Sequence, residues 1–213
     1  MRQMLSSDEL IRADGFKFRA DSQRFIAAHG QLRIILGQYM EVKSDGLRFH
    51  QTEYGKPYVV CERSLPPPNF NMSHSHDLVL YAFANQRAVG VDVEYIRPEL
   101  AEEQIAERFF SFREIHALRS LPVELRAKSF FNCWTRKEAF IKAKGMGLSI
   151  PLDQFDVTLL PGEPAALLKT IWDETEARRW SLHDIDVGQD FAAAIAVEGH
   201  DREIKYWRVE AVN

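Results

Sequence analysis

The sequence predicts an α+β fold built from two similar halves. Each half runs from helix into a group of strands. Each half also contains two predicted strands separated by a short polar turn, Asn85-Gln86 in the first and Gly199-His200-Asp201 in the second. No sequence identity links the halves, so a duplication is inferred from element order alone. The 213 residues suffice for one large domain or for two halves that share a core.

The first predicted helix begins near Asp21-Ser22, where either side chain can cap its N terminus. An apolar stripe follows at helical spacing, formed by Phe25, Ile26, Leu32, Ile35, Leu36 and Tyr39. Residues 8–20 are mixed and charged and predict no regular element. Arg24, which falls on this helix, is either an ordinary solvated arginine or an anion contact.

Leu47–His50 predicts a short strand, and Glu53–Tyr58 predicts a turn. Gly55 frees the backbone there, while Pro57 pushes Lys56 into an extended conformation. A lysine held stiffly beside a glycine can contact a phosphate. The alternative is an ordinary loop lysine.

The segment Phe70–His76 predicts a strand whose side chains alternate between two sides. Ser73 and Ser75 fall on one side, and His74 and His76 on the other. Two histidines at this spacing could bind zinc, but no CxxC or HExxH motif accompanies them. The hydroxyl and imidazole groups also suit a phosphate, to which they can donate several hydrogen bonds.

Leu78–Ala84 and Ala88–Ile96 predict a β-hairpin around the polar turn between them. In the second strand three valines alternate with Gly90, Asp92 and Glu94, so the two carboxylates share one face. The valines favour the core, which places the carboxylates on the opposite face beside a glycine that leaves room. Acidic residues two apart on a strand repel each other unless a cation lies between them. A solvated pair is the alternative.

Two helices are predicted after Arg97-Pro98, over residues 101–120 and 124–144, and Gly145 ends the second. Two aromatics, a carboxylate and an amine recur every four residues on the second helix and share one face: Phe130, Trp134, Glu138 and Lys142. The alternative to a functional pair is an exposed Glu–Lys contact, which stabilises a helix by about 0.2–0.5 kcal/mol. Four strands are predicted downstream: Phe155–Leu160, Trp180–Ile185, Phe191–Val197 and Glu203–Glu210.

Composition and charge exclude several classes of protein. A net charge of −4 argues against a general nucleic-acid binder, which is usually basic. No apolar run approaches the roughly 18 residues of a membrane helix, and the N terminus has no signal-peptide core. Cys61 and Cys133 are far apart and form no CxxC motif. We therefore expect a cytoplasmic protein with two unpaired thiols and no membrane contact.

The carboxylates suggest a metal site if three of them converge: Asp92, Glu94 and Glu138. An oxygen-only ligand set suits Mg²⁺, or Mn²⁺, better than zinc. Lys142, Lys56 and His74 would then neutralise the charge of a bound phosphate. No P-loop or GxGxxG motif is present, which excludes an ordinary P-loop NTPase and a dinucleotide dehydrogenase. The residues alone thus predict Mg²⁺-dependent transfer or hydrolysis at a pyrophosphate or phosphate ester.

Several segments, taken in order and at their spacing, resemble the 4′-phosphopantetheinyl transferases of the surfactin-synthetase-activating (Sfp-like) group. They are Glu53–Pro57, Phe70–Ser75, Gly90–Glu94, Arg108–Ser111, and Trp134–Leu148 followed by Pro151-Leu152. The resemblance implies two similar α+β halves related by a pseudo-two-fold axis, divided here as residues 1–97 and 98–213, with coenzyme A in the cleft between them. It further implies Mg²⁺-dependent transfer of the phosphopantetheine arm to a serine of an apo carrier protein (acyl, polyketide or peptidyl), with release of 3′,5′-ADP by a monomeric enzyme.

The resemblance also implies roles for particular residues. The expected metal ligands are Asp92, Glu94 and Glu138. The expected contacts to coenzyme A are Arg24, Lys56, Pro57, Ser73, His74, Asp92 and Lys142. The expected catalytic residues are Glu114 as the base, Glu138, and Lys142 as the stabiliser of the departing phosphate. A basic surface for the carrier is expected from Arg113, Arg119, Arg126, Lys128, Arg136 and Lys137.

The N terminus departs from the family pattern. Longer members carry an extra strand before the first helix and lysines that touch the nucleotide, whereas Leu10–Asp14 here contains no lysine. Either the start is truncated or Arg12 and Arg19 substitute. Two other functions stay open from the sequence: a metal-dependent phosphohydrolase acting on a pyrophosphate or nucleotide, and a non-catalytic module that binds coenzyme A or a carrier.

Overall fold

The computed structural model describes residues 1–60, 66–100, 103–200 and 203–209. The helices of the described chain are α1 (Ser7–Asp14), α2 (Arg19–Met40), α3 (Glu103–Phe109), α4 (Phe112–Arg119) and α5 (Val123–Lys144). The strands are β1 (Arg48–Gln51), β2 (Pro57–Val60), β3 (Asn69–Ser75), β4 (Leu78–Ala84), β5 (Val89–Tyr95), β6 (Phe155–Val157), β7 (Leu167–Thr170), β8 (Trp180–Asp184) and β9 (Phe191–Glu198). Cys61 lies outside the described residues, and Cys133 is a buried free thiol.

The strands form small antiparallel sheets. β1 pairs with β2, β3 with β4 and β6 with β7, while β5, β9 and β8 form a three-stranded sheet in that order. The largest buried cluster lies between α5 and the C-terminal strands, and a smaller one packs beneath α2. These mixed helices and antiparallel sheets confirm the α+β class. The pseudo-two-fold relation of the halves stays a prediction.

Helix α5 is the element on which the site is built. It follows Pro122, which begins it, and ends at Gly145, whose φ of 69° places it in the left-handed region that glycine tolerates. Its inner face buries aromatic and small side chains, among them Phe131 and Phe140. The predicted helix over 124–144 is therefore confirmed to within one residue.

Gly90 lets β5 lie directly against α5. A Cβ atom at this position would fall 2.1 Å from the carbonyl oxygen of Ala139 and 2.3 Å from the backbone nitrogen of Ala143. The valines of β5 face away from α5 and are at most 1 % exposed. The predicted alternation along this strand is confirmed, but the carboxylate face meets α5 rather than solvent.

The predicted hairpin between residues 78–84 and 88–96 is wrong. β4 pairs instead with β3 around a turn at His76, whose φ is 56°, and β5 pairs with β9, so that Asp92 lies opposite Ala194. An alternating valine pattern identifies a strand with a buried face but does not say which strand it pairs with. The short polar turn at Asn85-Gln86 suggested a local partner that the fold does not use.

Capping explains the errors in the helix predictions. The single helix predicted over 101–120 is two helices, because Ser111 accepts a hydrogen bond from the Glu114 amide and Glu114 bonds back in a capping box that begins α4. A second capping box between Ser6 and Glu9 begins α1, within a stretch for which we predicted no element. Helix α2 begins at Arg19, two residues before the predicted start.

Errors remain in the C-terminal strands. Residues 203–209 of the strand predicted over 203–210 have no regular structure, and β7 was not predicted. β7 is a strand because it pairs with β6, although its burial pattern does not alternate.

The division of the chain after residue 97 stays a prediction. The pairing of β5 with β9 favours a boundary before β5.

Candidate active site

Asp92 and Lys142 form the centre of the site. Asp92 is 3 % exposed, and its Oδ1 accepts hydrogen bonds from Lys142 Nζ at 2.6 Å and from Ser73 Oγ at 2.8 Å. Within the described residues, Asp92 Oδ2 is buried and has no hydrogen-bond partner. Burial raises the pKa of Asp92, and the charge of Lys142 opposes that rise.

Glu94 and Glu138 share this region with Asp92. Burial raises the pKa of Glu138 to about 7, with further increases from the charges of Asp92 and Glu94. Burial also raises the pKa of Glu94, and the charge of Asp92 adds to the effect. The three carboxylates therefore lie close enough for their charges to act on one another, and their roles stay predictions.

The chemistry of the donor set, rather than its arrangement, fits a hard divalent cation. In the described chain no group of three or more histidine, cysteine, aspartate or glutamate side chains is arranged to hold a metal ion directly, and Lys142 neutralises Asp92 instead. An oxygen-only set with an unpaired Asp92 Oδ2 and a Glu138 whose pKa is raised to about 7 suits Mg²⁺. A cation would supply the missing partner of Asp92 Oδ2 and favour the ionised form of Glu138.

Cationic side chains surround the neighbouring end of β3. Partial burial lowers the pKa of His74, and the positive charges of Lys142, His29 and Arg24 lower it further. Arg24 donates to Asp77 and Asp21 on the surface. The positive charge that depresses the pKa of His74 would stabilise a bound anion.

A cavity of about 200 Å³ adjoins Lys142. Its lining comprises Tyr54, Gly55, Lys56, Pro57, Asn71, Ile141, Lys142, Gly145 and Gly147. Lys56 Nζ donates to the carbonyl oxygens of Val89 and Ala143, each at 3.0 Å, and burial lowers the pKa of Lys56 to about 8. Lys56 thus ties the start of β5 to the end of α5, a contact that the sequence alone could not reveal.

Glu114 lies inside the core. It is 1 % exposed and pairs with the fully buried Lys137 at 2.8 Å. It also accepts hydrogen bonds from the backbone amides of Ser111 and Val157. Each of these contacts belongs to the packing of α4, α5 and β6, so the geometry favours a structural role for Glu114, and the base role stays a prediction.

The expected basic surface is smaller than the sequence suggested. The prediction is wrong for Arg136 and Lys137, which are buried: Arg136 binds both carboxylate oxygens of Asp184, and Lys137 donates to backbone carbonyls as well as pairing with Glu114. Amphipathic helix spacing does not show which basic residues are paired inside. The remaining members, on or near α4 and the start of α5, are Arg113, Arg119, Arg126 and Lys128.

The chain is similar to one group of enzymes along most of its length. A profile of the 4′-phosphopantetheinyl transferase superfamily matches residues 88–196, and a profile described as 4′-phosphopantetheinyl transferase, N-terminal, matches residues 1–86. The chain is 41 % identical over 203 residues to the 4′-phosphopantetheinyl transferase HetI of Nostoc sp., covering 95 % of this chain and 82 % of HetI.

Two further similarities are weaker. The 4′-phosphopantetheinyl transferase Sfp of Bacillus subtilis is 35 % identical over 155 residues, covering 73 % of this chain and 66 % of Sfp. The crystal structure of Thermotoga maritima holo-[acyl-carrier-protein] synthase is 22 % identical, covering 55 % of this chain and 66 % of that one, with a TM-score of 0.43. In the part of the chain that the structure describes, no helix is long and apolar enough to cross a membrane.

Proposed function

Because the chain belongs to the 4′-phosphopantetheinyl transferase superfamily, we propose that it transfers the phosphopantetheine arm of coenzyme A to a serine of an apo carrier protein. The observation that carries this proposal is the match of the two profiles over residues 1–86 and 88–196, together with three carboxylates and a lysine at one partly buried site. The serine oxygen attacks the phosphorus that bears the pantetheine arm. The bond from that phosphorus to 3′,5′-ADP breaks, and the serine proton passes to a base.

Asp92, Glu94 and Glu138 would hold the cation, which would neutralise charge on the pyrophosphate. Phosphoryl transfer leaves the protein mainly to position groups and to balance charge. Lys142 Nζ is already at the site, 2.6 Å from Asp92 Oδ1. With a cation held by the carboxylates, the Lys142 ammonium would be available to contact the phosphate of the leaving nucleotide.

Coenzyme A would bind between the cavity and the cationic end of β3. The turn Tyr54–Pro57 and Lys142 line the cavity, while His74 and Arg24 lie in the cationic region. Ser73 reaches Lys142 and Asp92 and so connects the two regions. The resemblance assigns Lys56 to a phosphate, but its two backbone contacts favour the role of a clamp beside the nucleotide.

The resemblance assigns the base role to Glu114. Its buried pair with Lys137 leaves that assignment without a structural observation in its favour. Glu138, with a pKa raised to about 7 before a metal binds, would be ionised by the cation and serve as a ligand rather than as an acid.

The partner is an apo carrier of the acyl, polyketide or peptidyl type, all of which present a serine. We further propose that the enzyme acts in the cytoplasm as a monomer that binds neither nucleic acid nor membranes. The net charge of −4 supports the absence of nucleic-acid binding. Sedimentation velocity on the purified protein tests the monomer.

The function is tested by incubating the protein with coenzyme A, Mg²⁺ and a panel of apo carriers, each followed by intact mass. We expect at least one carrier to gain the phosphopantetheine mass while an equal amount of 3′,5′-ADP appears. Cleavage of coenzyme A without any carrier would indicate a phosphohydrolase. Coenzyme A binding without turnover on any carrier would indicate a binding module.

A further inference from the structure

β3 and β5 meet through side chains instead of a backbone ladder. Three side-chain oxygens, two residues apart on β3, each accept a hydrogen bond from a backbone amide on β5. The pairs are Asn71 Oδ1 with Val91 N at 2.8 Å, Ser73 Oγ with Val93 N at 3.4 Å, and Ser75 Oγ with Tyr95 N at 2.9 Å. The separation is 20 residues in every pair, so the two strands run parallel. We call Asn71, Ser73 and Ser75 the seam.

The number of hydrogen bonds that a hydroxyl can make fixes the direction of the Ser75 proton. A serine hydroxyl has one proton to donate and two lone pairs that accept. Ser75 Oγ accepts the Tyr95 amide, and its own proton is donated to Glu94 Oε2 at 3.0 Å. In the described chain this is the only side-chain hydrogen bond made to the Glu94 carboxylate.

The other two seam residues differ from Ser75 in their contacts with carboxylates. Ser73 Oγ donates to Asp92 but also accepts from Lys142, so the Asp92 carboxylate is held by two groups. Asn71 bonds the Val91 amide, and no hydrogen bond joins it to a carboxylate within the described residues. Glu94 therefore depends on one hydroxyl, whereas Asp92 does not.

We propose that Ser75 is a positioning residue that orients the Glu94 carboxylate toward Asp92 and Glu138 for cation binding, with the seam as its support. The inference rests on the proposed function, because it needs the carboxylates to bind a divalent cation. Ser75 touches neither the cation nor the substrate in this scheme. It acts by restricting the rotamers of a metal ligand, as hydrogen-bond partners behind ligands commonly do.

The seam supplies matched variants. Ser75→Ala removes the donor to Glu94 and the acceptor for Tyr95, whereas Asn71→Ala removes one seam bond and leaves both serines in place. Ser75→Thr keeps a hydroxyl at the same position on a strand that tolerates β-branching. If Ser75 only joined the two strands, Ser75→Ala and Asn71→Ala would bind Mn²⁺ alike. If Ser75 positions Glu94, Ser75→Ala would bind Mn²⁺ more weakly than Asn71→Ala.

The experiment measures Mn²⁺ binding by electron paramagnetic resonance on protein saturated with coenzyme A, with no carrier and hence no turnover. Thermal midpoints are recorded on the same samples. We expect Ser75→Ala to raise the Kd for Mn²⁺ about 10-fold or more, and Ser75→Thr to restore it. Because Asn71 also lines the cavity, the coenzyme A concentration is set for each variant from its own measured Kd for coenzyme A, so that every sample is saturated. Asn71→Ala should then lower the thermal midpoint and leave the Kd for Mn²⁺ within about twofold of the starting value, well below the roughly 10-fold change expected for Ser75→Ala.

Two results would overturn the inference alone: unchanged Mn²⁺ binding in Ser75→Ala, or equal weakening in Ser75→Ala and Asn71→Ala. Failure of the unaltered protein to bind Mn²⁺, measured beside its turnover on a carrier, would instead remove the metal from the proposed function and the inference with it. The unaltered protein thus separates the two failures.

Discussion

At the level of single side chains, the site balances three carboxylates against one lysine. Lys142 pairs with Asp92, while burial and the acidic neighbours of Glu138 disfavour its charge and raise its pKa to about 7. Carboxylates held this close together destabilise the folded protein, so the arrangement is unfavourable for residues that serve only the fold. It is favourable for a site that gains a divalent cation together with its substrate.

Asp92→Ala and Glu138→Ala should each lower kcat/KM at least about 100-fold, or about 2.7 kcal/mol of transition-state stabilisation. Each removes a proposed metal ligand. Glu138→Ala also relieves repulsion among the carboxylates, so its thermal midpoint should hardly fall, whereas Asp92→Ala removes the partner of Lys142 and should lower the thermal midpoint. Steady-state assays with a carrier, with and without EDTA, measure the effect. Full turnover in excess chelator, or by Asp92→Ala, would exclude the metal site.

Lys144→Ala provides the matched control for Lys142→Ala. Lys144 lies on the same helix but is turned away, pairing with Glu176 and lying over the Trp180 ring. Its loss should reduce stability and spare turnover, whereas loss of Lys142 should reduce turnover. Steady-state assays and thermal midpoints on both variants measure the difference, and equal losses of turnover would contradict it.

Glu114→Gln should destabilise the protein, because it leaves the ammonium of Lys137 buried without its counter-ion. Breaking a buried pair by removing one partner costs about 3–5 kcal/mol, and the retained amide oxygen should bring the loss to the lower end. Urea unfolding measures it. If instead the stability is unchanged and transfer slows at saturating coenzyme A, Glu114 is the base that the resemblance implies.

The sequence was enough to place some of these residues but not others. The shared face of Glu138 and Lys142 follows from a four-residue spacing, and Asp92 and Glu94 follow from alternation with buried valines. Glu114 and Lys137 could not be placed, because a charged pair that packs inside looks like two surface residues until the neighbouring helices are in position.

At the level of elements, the contact between β5 and α5 sets the spacing of the site. The two meet at Gly90 with no room for a side chain, and Lys56 bonds both of them at Val89 and Ala143. This close approach places Asp92 within reach of Lys142 across the interface. The strand and the helix could each be predicted from periodicity. The strand partner of β5 could not, since β5 hydrogen-bonds to β9, about 100 residues further along the chain.

Gly90→Ala should therefore be severely destabilising, because its Cβ would overlap the α5 backbone, which cannot rotate away as a side chain could. Overpacking usually costs about 1–3 kcal/mol, and a backbone clash should reach or exceed the upper end. Gly46→Ala is the control, since no atom lies within 4 Å of the position that a Cβ would take there. Equal thermal midpoints for the two variants would contradict the close approach.

At the level of the whole molecule, the chain is joined by side chains as much as by sheets. The seam links β3 to β5, and Lys56 links the turn before β2 to both β5 and α5. Substrate binding at this junction would depend on the N-terminal and C-terminal elements together. The α+β class could be predicted from the order of elements, whereas the junction depends on hydroxyl and amide side chains whose partners are distant in sequence.

The start of α4 presents an apolar side chain beside a basic one, and we expect the carrier to bind there. Phe112 is 87 % exposed and is followed by the exposed Arg113. Carriers of this class are expected to be acidic beside their serine, so an apolar contact within a basic rim would suit a transient complex. Arg119 pairs with Glu107, and Arg126 donates to backbone carbonyls, so reversing either charge would also disturb local structure.

Phe112→Ser and Arg113→Glu should each raise the KM for the carrier several-fold and leave the KM for coenzyme A nearly unchanged. Raising the salt to about 0.5 M should reproduce the effect of Arg113→Glu, because exposed charges are screened within about 8 Å even at physiological ionic strength. Trp207→Ser and Arg208→Glu form the control, as another exposed aromatic–arginine pair on a segment outside α4. A carrier KM that responds to the control pair as strongly as to Phe112 and Arg113, or to neither pair and not to salt, would place carrier recognition elsewhere on the surface.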